Sequence, residues 1–251
     1  MSSTSVFLIA FAFIFGGALS GVGLRRALPE HHLAEDTKDV VRLATGLIGT
    51  IAALVLGLLI ASANGSYQTQ SANVQRMTAD IILLDTLLEQ YGPEANPARE
   101  LLRRAVGLMV ERIWRENSSA SATQAPFRAT AAGEEAFAKI QQLAAQSEVQ
   151  RLLKSRAVEL SVDVAQTRLL LLEQAGSSIP TPFLAVLIFW LSMIFASFGL
   201  FSRLNAVAAG ALFIAALSAS GAIFLIVELG QPFSGIMQIS STPLRNALAP
   251  L

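Results

Sequence analysis

Glu228 stands at the end of an otherwise charge-free apolar run, and few side chains in this sequence offer comparable chemistry. Holding a carboxylate at depth in a membrane costs up to about 2.5–3.5 kcal/mol, so Glu228 is expected to face water, a partner or an ion path. Pro232 then ends the helix, while Gly230 and Gly235 permit a tight bend around Phe233. The uncharged stretch that follows, Ser240-Ser241-Thr242-Pro243-Leu244, is too short to span a bilayer and is expected to lie along a neighbouring helical domain.

A second set of candidates is a stripe of small residues: Gly46, Thr50, Ala53, Gly57 and Ala61 recur every three or four positions and end at Asn64. Such a stripe either lets another helix approach closely or lines a passage that bulk would obstruct. Thr45 and Thr50 carry hydroxyls able to replace part of an ion's hydration shell. Leu54 and Leu58 form an apolar face of the kind that gates by dewetting. Glu228, Pro232, Phe233 and Gly235 are the corresponding candidates for gating or for the base of a pore.

Other chemistries find little support. The chain has no Cys, which removes thiolate nucleophiles, disulfides and Cys-ligated metal. His31-His32 stand near Glu35, Asp36 and Asp39, but adjacent His residues diverge on a helix and Pro29 marks a loop, so they read as interfacial polar residues, not a metal site. Intramembrane hydrolysis needs a metal, a carboxylate pair or a nucleophile–base pair at depth, and Glu228 alone supplies none of these. No enzyme activity and no cofactor are expected. The 18 basic and 18 acidic residues cancel without a basic patch, so nucleic acid is not a partner. No inverted repeat or mid-span break suggests a secondary transporter.

The elements that must position these residues follow from where the charges sit. Only 14% of the 251 residues are charged and 53% are hydrophobic, whereas a soluble domain devotes about a quarter to charge. Of the 36 charged residues, 8 lie between Arg25 and Arg42 and 25 between Arg76 and Glu173. Four charge-poor stretches remain, roughly 5–24, 43–63, 182–201 and 204–227, each near the ~20 residues that cross a hydrocarbon core as a helix. The first lacks a basic leader and is followed directly by Arg25-Arg26, so it is expected to be a retained span and not a signal peptide.

Between the second and third spans, Val74, Met77, Ile81, Leu84, Leu88 and Tyr91 step by three and four, as do Leu102, Val106, Met109 and Ile113 beyond Gly92-Pro93 and Asn96-Pro97. A longer run from 134 to 173 carries Val149, Leu153, Ala157, Leu160, Val164 and Leu171 and is expected to be one helix, after low-complexity residues 117–133. Nothing alternates with period two. The fold class is therefore an all-α membrane protein: four transmembrane helices with a helical extramembrane bundle inserted between the second and third. The expected parts are a first transmembrane hairpin (1–65), the helical domain (66–178), a second hairpin (179–228) and a C-terminal Pro-Phe-Ser-Gly segment (229–251).

Within the spans, Gly17 with Gly21 and Gly16 with Ser20 are expected to serve helix packing. The rings Phe183, Phe189, Trp190, Phe195, Phe198 and Phe201 of the third span are expected to lie against the smooth Ala, Ser and Gly surface of the fourth. Asn205 is expected to cap that fourth helix. The short loops hold five basic residues (Arg25, Arg26, Lys38, Arg42 and Arg203) against Arg76, Arg168 and Arg245 near the membrane on the bundle side, a count that leans towards a bundle outside the cytoplasm by a margin too small to decide the side.

This order of parts resembles the bestrophins, pentameric ion channels. Glu228 with Pro232-Phe233-Ser234-Gly235 and Pro243-Leu244 is similar to their acidic Asn-Pro-Phe-Gly segment followed by Leu-Pro-Leu. More closely, nearly the whole chain resembles the bestrophin-like domain family of bacterial and plant membrane proteins. That likeness rests on Leu24-Arg25-Arg26-Ala27-Leu28-Pro29-Glu30-His31-His32, Ala53-Leu54-Val55-Leu56-Gly57-Leu58-Leu59, Leu83-Leu84-Asp85, Tyr91-Gly92-Pro93-Glu94, Phe189-Trp190-Leu191 and Phe195-Ala196-Ser197-Phe198-Gly199-Leu200. The resemblance implies a homo-oligomer, a pentamer if it extends to bestrophins, with the second span around a central pore for inorganic ions and anions favoured. It implies an integral protein of the bacterial inner membrane with a cytosolic helical domain, opposite to the charge count. The acidic cluster that resembles a calcium clasp in the channels is replaced here by Ile236-Met237-Gln238-Ile239-Ser240, which argues against calcium gating. The competing class is a non-conducting scaffold or sensor, anchored in the lipid bilayer, whose helical domain binds a protein partner.

Overall fold

The computed structural model describes residues 2–29, 35–115, 130–175, 181–202 and 205–247, and every regular element in them is helical. In chain order these are α1 (Ser3–Ala27), α2 (Glu35–Tyr91), a 3-10 turn (Pro93–Ala95), α3 (Asn96–Arg115), α4 (Ala131–Gln142), α5 (Glu148–Ala175), α6 (Thr181–Phe201), α7 (Ala206–Leu229) and α8 (Thr242–Asn246). Four of them, α1, α2, α6 and α7, are long and apolar enough to cross a membrane. The chain divides into two compact units, 1–66 with 178–230 and 67–177 with 231–251, and α2 contributes residues to both. Polar residues 64–73 do not interrupt α2, because they contain no Pro and a lone Gly65 costs a helix only about 1 kcal/mol.

The first unit is organised on α1, against which α6 and α7 both pack. A Cβ at Gly17 would sit 2.5 Å from the carbonyl oxygen of Ser192. Cβ atoms at Gly21 and Gly199 would strike the carbonyls of Ala196 and Ala18. Glycine is required at these crossings because backbone meets backbone, and the packing expected for Gly17 and Gly21 is observed. Gly16 meets nothing within 4 Å, so the expectation for it is corrected. Arg25 Nη1 donates to the Ser202 carbonyl, placing a cation on an orphan acceptor just past α6. Asn205 caps α7, its side chain accepting from the Ala208 N–H at 2.8 Å.

The expected seating of third-span rings on the fourth span is also corrected. Phe183, Phe189 and Phe198 of α6 are exposed, and only Phe195 is buried. The aromatic contacts to α7 come from α1 instead: Phe11 and Phe15 meet Phe213 edge-on at 5.5 and 5.6 Å, and Phe7 meets Phe224 at 6.2 Å. Small residues bring α6 and α1 too close for rings between them at these crossings, so Phe183, Phe189 and Phe198 lie on the exposed sides of α6.

In the second unit, Val74, Met77, Ile81, Leu84, Leu88 and Tyr91 are all buried, facing Leu102, Val106, Val110 and Ile113 of α3 and Ala157, Leu160 and Leu171 of α5. The single helix expected over 134–173 is two, with a break at Leu143–Ser147. Side chains settle the backbone there. Ser147 Oγ accepts from Gln150 N, Gln150 Oε1 accepts from Gln146 N, and Lys154 Nζ donates to the Leu143 carbonyl at 2.8 Å. Gln150 Nε2 also reaches the Tyr91 carbonyl at 3.1 Å, satisfying the end of α2. Ser147-Glu148-Val149-Gln150 is the Ser-x-x-Gln pattern of a capping box, a signal present in the sequence. Outside this core, Val149 is 66% exposed.

The C-terminal segment is folded into the same unit. Phe233, Ile239 and Leu244 join its core, Phe233 meets Trp114 edge-on at 5.8 Å, and Trp114 Nε1 donates to the Ile239 carbonyl at 2.7 Å. The Ile239 N–H returns to the Pro232 carbonyl at 2.7 Å, closing a loop whose turn requires Gly235 at φ 86°.

Candidate functional site

The part of α2 in the first unit has two unlike sides. Ile48, Gly49, Ala52, Leu56 and Leu59 pack inward against α1, α6 and α7. Gly46, Thr50, Ala53, Gly57, Ala61 and Asn64 lie together on the open side, and added Cβ atoms at Gly46 and Gly57 would meet nothing within 4 Å. Beside this shallow groove runs a ridge of Leu43, Leu47, Leu54 and Leu58, the last two 74% and 69% exposed. Sequence reasoning missed Leu43 and Leu47, although Leu43 stands 4, 11 and 15 residues before Leu47, Leu54 and Leu58, which marks one helical face.

Thr45 lies at the edge of the stripe. It lines a recess with Val41, Gly49, Ile194 and Phe198 on the inward side of α2, and Gly46 borders the same recess. The Thr50 hydroxyl donates to the Gly46 carbonyl at 2.9 Å, so it offers an ion its lone pairs but not its proton. Only 6% of the most apolar stretch of α2 is enclosed by the chain, against 22% for each of the other three candidate spans. The least enclosed span is thus the one with the small-residue stripe.

Glu228 belongs to the first unit and Pro232, Phe233 and Gly235 to the second. The helix ends at Leu229 as expected, but Gly230 has an ordinary φ of −74°, so the bend relies on Gly235 and not on Gly230. Glu228 is 2% exposed and has an interaction partner within the fold, so of water, a partner and an ion path it is a partner that it meets within this chain. Burial without a partner would cost far more than the chain can spare. Pro232 and Phe233 are likewise buried, fixed by the Trp114 contact and the Ile239 hydrogen bond. The His31-His32 pair lies outside the described residues.

A family model described as the Bestrophin-like domain matches residues 12–244, from within α1 to within α8. The chain is a member of the Bestrophin-like family. No curated protein matches it. Among solved structures it is similar to the crystal structure of a bacterial bestrophin homologue from Klebsiella pneumoniae carrying a point mutation. The TM-score is 0.56 at 14% sequence identity, over 96% of this chain and 95% of that one. At that identity the likeness is one of fold. This Bestrophin-like chain therefore shares a fold with the bacterial homologue over nearly the whole length of both.

Proposed function

We propose that the protein is an oligomeric ion channel of bestrophin-like architecture, a ring of identical subunits with α2 around a central pore. The observation that carries this is the open side of α2. A span enclosed so little by its own chain leaves a small-residue groove and a leucine ridge for something outside it. A ring supplies both occupants, a neighbouring subunit and a lumen. Gly46, Thr50, Ala53, Gly57, Ala61 and Asn64 would allow a close neighbour or an unobstructed path, and Leu54 and Leu58 a constriction that gates by dewetting. Thr45, facing inward within one subunit, is the weakest of the pore-lining candidates. Glu228 would hold the pore base through its buried interaction, and Pro232, Phe233 and Gly235 would form the gating segment.

Family membership supports a channel over an enzyme, and resemblance to bestrophins supports five subunits, a preference for anions and a helical domain in the cytosol of a cell whose inner membrane holds the spans. Within that scheme residues 1–65 and 179–228 are transmembrane hairpins and 66–178 the extramembrane domain.

The test is single-channel recording of purified protein in planar bilayers under asymmetric KCl, with the oligomer's mass determined on the same sample. Discrete openings with a defined reversal potential from a closed ring are expected, and the sign of that potential reports the charge preference. A well-folded oligomer silent across voltage, pH and calcium would instead favour a scaffold whose helical domain binds a partner.

A further inference from the structure

The helices of the second unit surround a cavity of about 390 Å³, bounded chiefly by Ile81 and Leu84 of α2, Leu102 and Val106 of α3, Phe137 of α4 and Val164 of α5. Cavities of this size and character hold small-molecule ligands. Among the described residues one cation lines the apolar wall, Arg168 of α5. Its Nε is shut off from solvent and donates to no partner among the described residues. An arginine commonly lays its stem on apolar surface and keeps its head in water, but here part of the head itself is dehydrated. Burial lowers the guanidinium's affinity for its proton, and the charge of Glu134 opposes this without forming an ion pair among the described residues. Of the wall hydroxyls, Ser161 already donates its proton to the Ala157 carbonyl, while Thr130 accepts from Gly133 N and keeps its own O–H.

The two terminal Nη groups of an arginine present parallel donors that match a carboxylate, and those of Arg168, unlike its Nε, are not shut off from solvent. We propose that the cavity binds an amphipathic carboxylate, its hydrocarbon chain among the apolar side chains and its headgroup on Arg168. The proposal does not depend on whether the protein conducts ions.

Full-length protein in phosphatidylcholine nanodiscs is titrated with radiolabelled decanoate, with empty nanodiscs as the blank. Saturable binding of one decanoate per chain is expected, weakened by about tenfold or more in Arg168→Gln, as loss of a charge-assisted hydrogen-bond pair requires. Decanol should bind weakly by a similar factor. Glu134→Gln should tighten binding by removing a competing carboxylate, and Ala165→Phe, which fills the cavity but keeps Arg168, should abolish it. Equal binding by wild type and a folded Arg168→Gln protein would overturn the proposal. So would equal affinity for decanol, which would make the cavity merely apolar, or a preference for decyl phosphate, which would make the headgroup a phosphate. If circular dichroism shows the Arg168 and Ala165 variants unfolded, Glu134→Gln decides alone: tighter binding supports the proposal and unchanged binding overturns it.

Discussion

Glu228 joins an ionisable side chain to near-complete burial at the end of a membrane helix. Replacing it with Gln keeps its shape and removes its charge, so in a conducting protein Glu228→Gln is expected to alter conductance or gating in bilayer recordings. Unchanged currents would remove Glu228 from the pore-base role. In the second unit, Arg99 grips Asp85 with two hydrogen bonds of 3.0 and 2.9 Å, both side chains being about 15% exposed. Arg99→Ala is expected to lower stability by about 1–3 kcal/mol, measured by thermal or denaturant unfolding, because it strands a largely buried carboxylate that Arg103 at 3.4 Å only partly compensates. At this scale the sequence was informative where the chemistry is local. Asn205 is a cap because its side chain reaches a backbone three residues away, whereas the burial of Glu228 depends on what other helices place around it.

On the helices themselves, glycines of the same type do different work. Gly21→Val is expected to destabilise the detergent-solubilised protein by about 1–3 kcal/mol or more, since its Cβ would enter the backbone of α6, while Gly16→Val should leave the melting temperature within error. For α2, Gly57→Leu is expected to block flux without dispersing the oligomer; dispersal on size-exclusion chromatography would show that the groove serves subunit packing. The apolar register of Val74 through Tyr91 was legible because burial on one side of a helix imposes a 3.6-residue period. The break between α4 and α5 went unread because no Pro or Gly marks it; instead, the Ser147–Gln150 capping pair and Lys154 stabilise the ends. The third-span rings were misassigned for a related reason. Size complementarity names a suitable neighbour, but the glycines decide which helix comes close.

For the whole molecule, sidedness is open to a direct test because the chain has no native Cys. A single Val149→Cys variant places a thiol at an exposed position of the second unit. Labelling by a membrane-impermeant maleimide is expected only after the membrane is breached; labelling in intact cells would reverse the cytosolic assignment and vindicate the count of basic residues. By itself the sequence determined that the chain is all-helical with four helices able to span a bilayer, because apolar length and period are properties of consecutive residues. It also carried the family, through phrases distributed from Leu24 to Leu244. Only the tertiary structure decided which faces those helices use against one another: α1 at the centre of its unit, α2 with its small-residue side open, and Arg168 set in an apolar cavity. These are properties of residues far apart in the chain, and their energies arise from close packing and desolvation that no local pattern records.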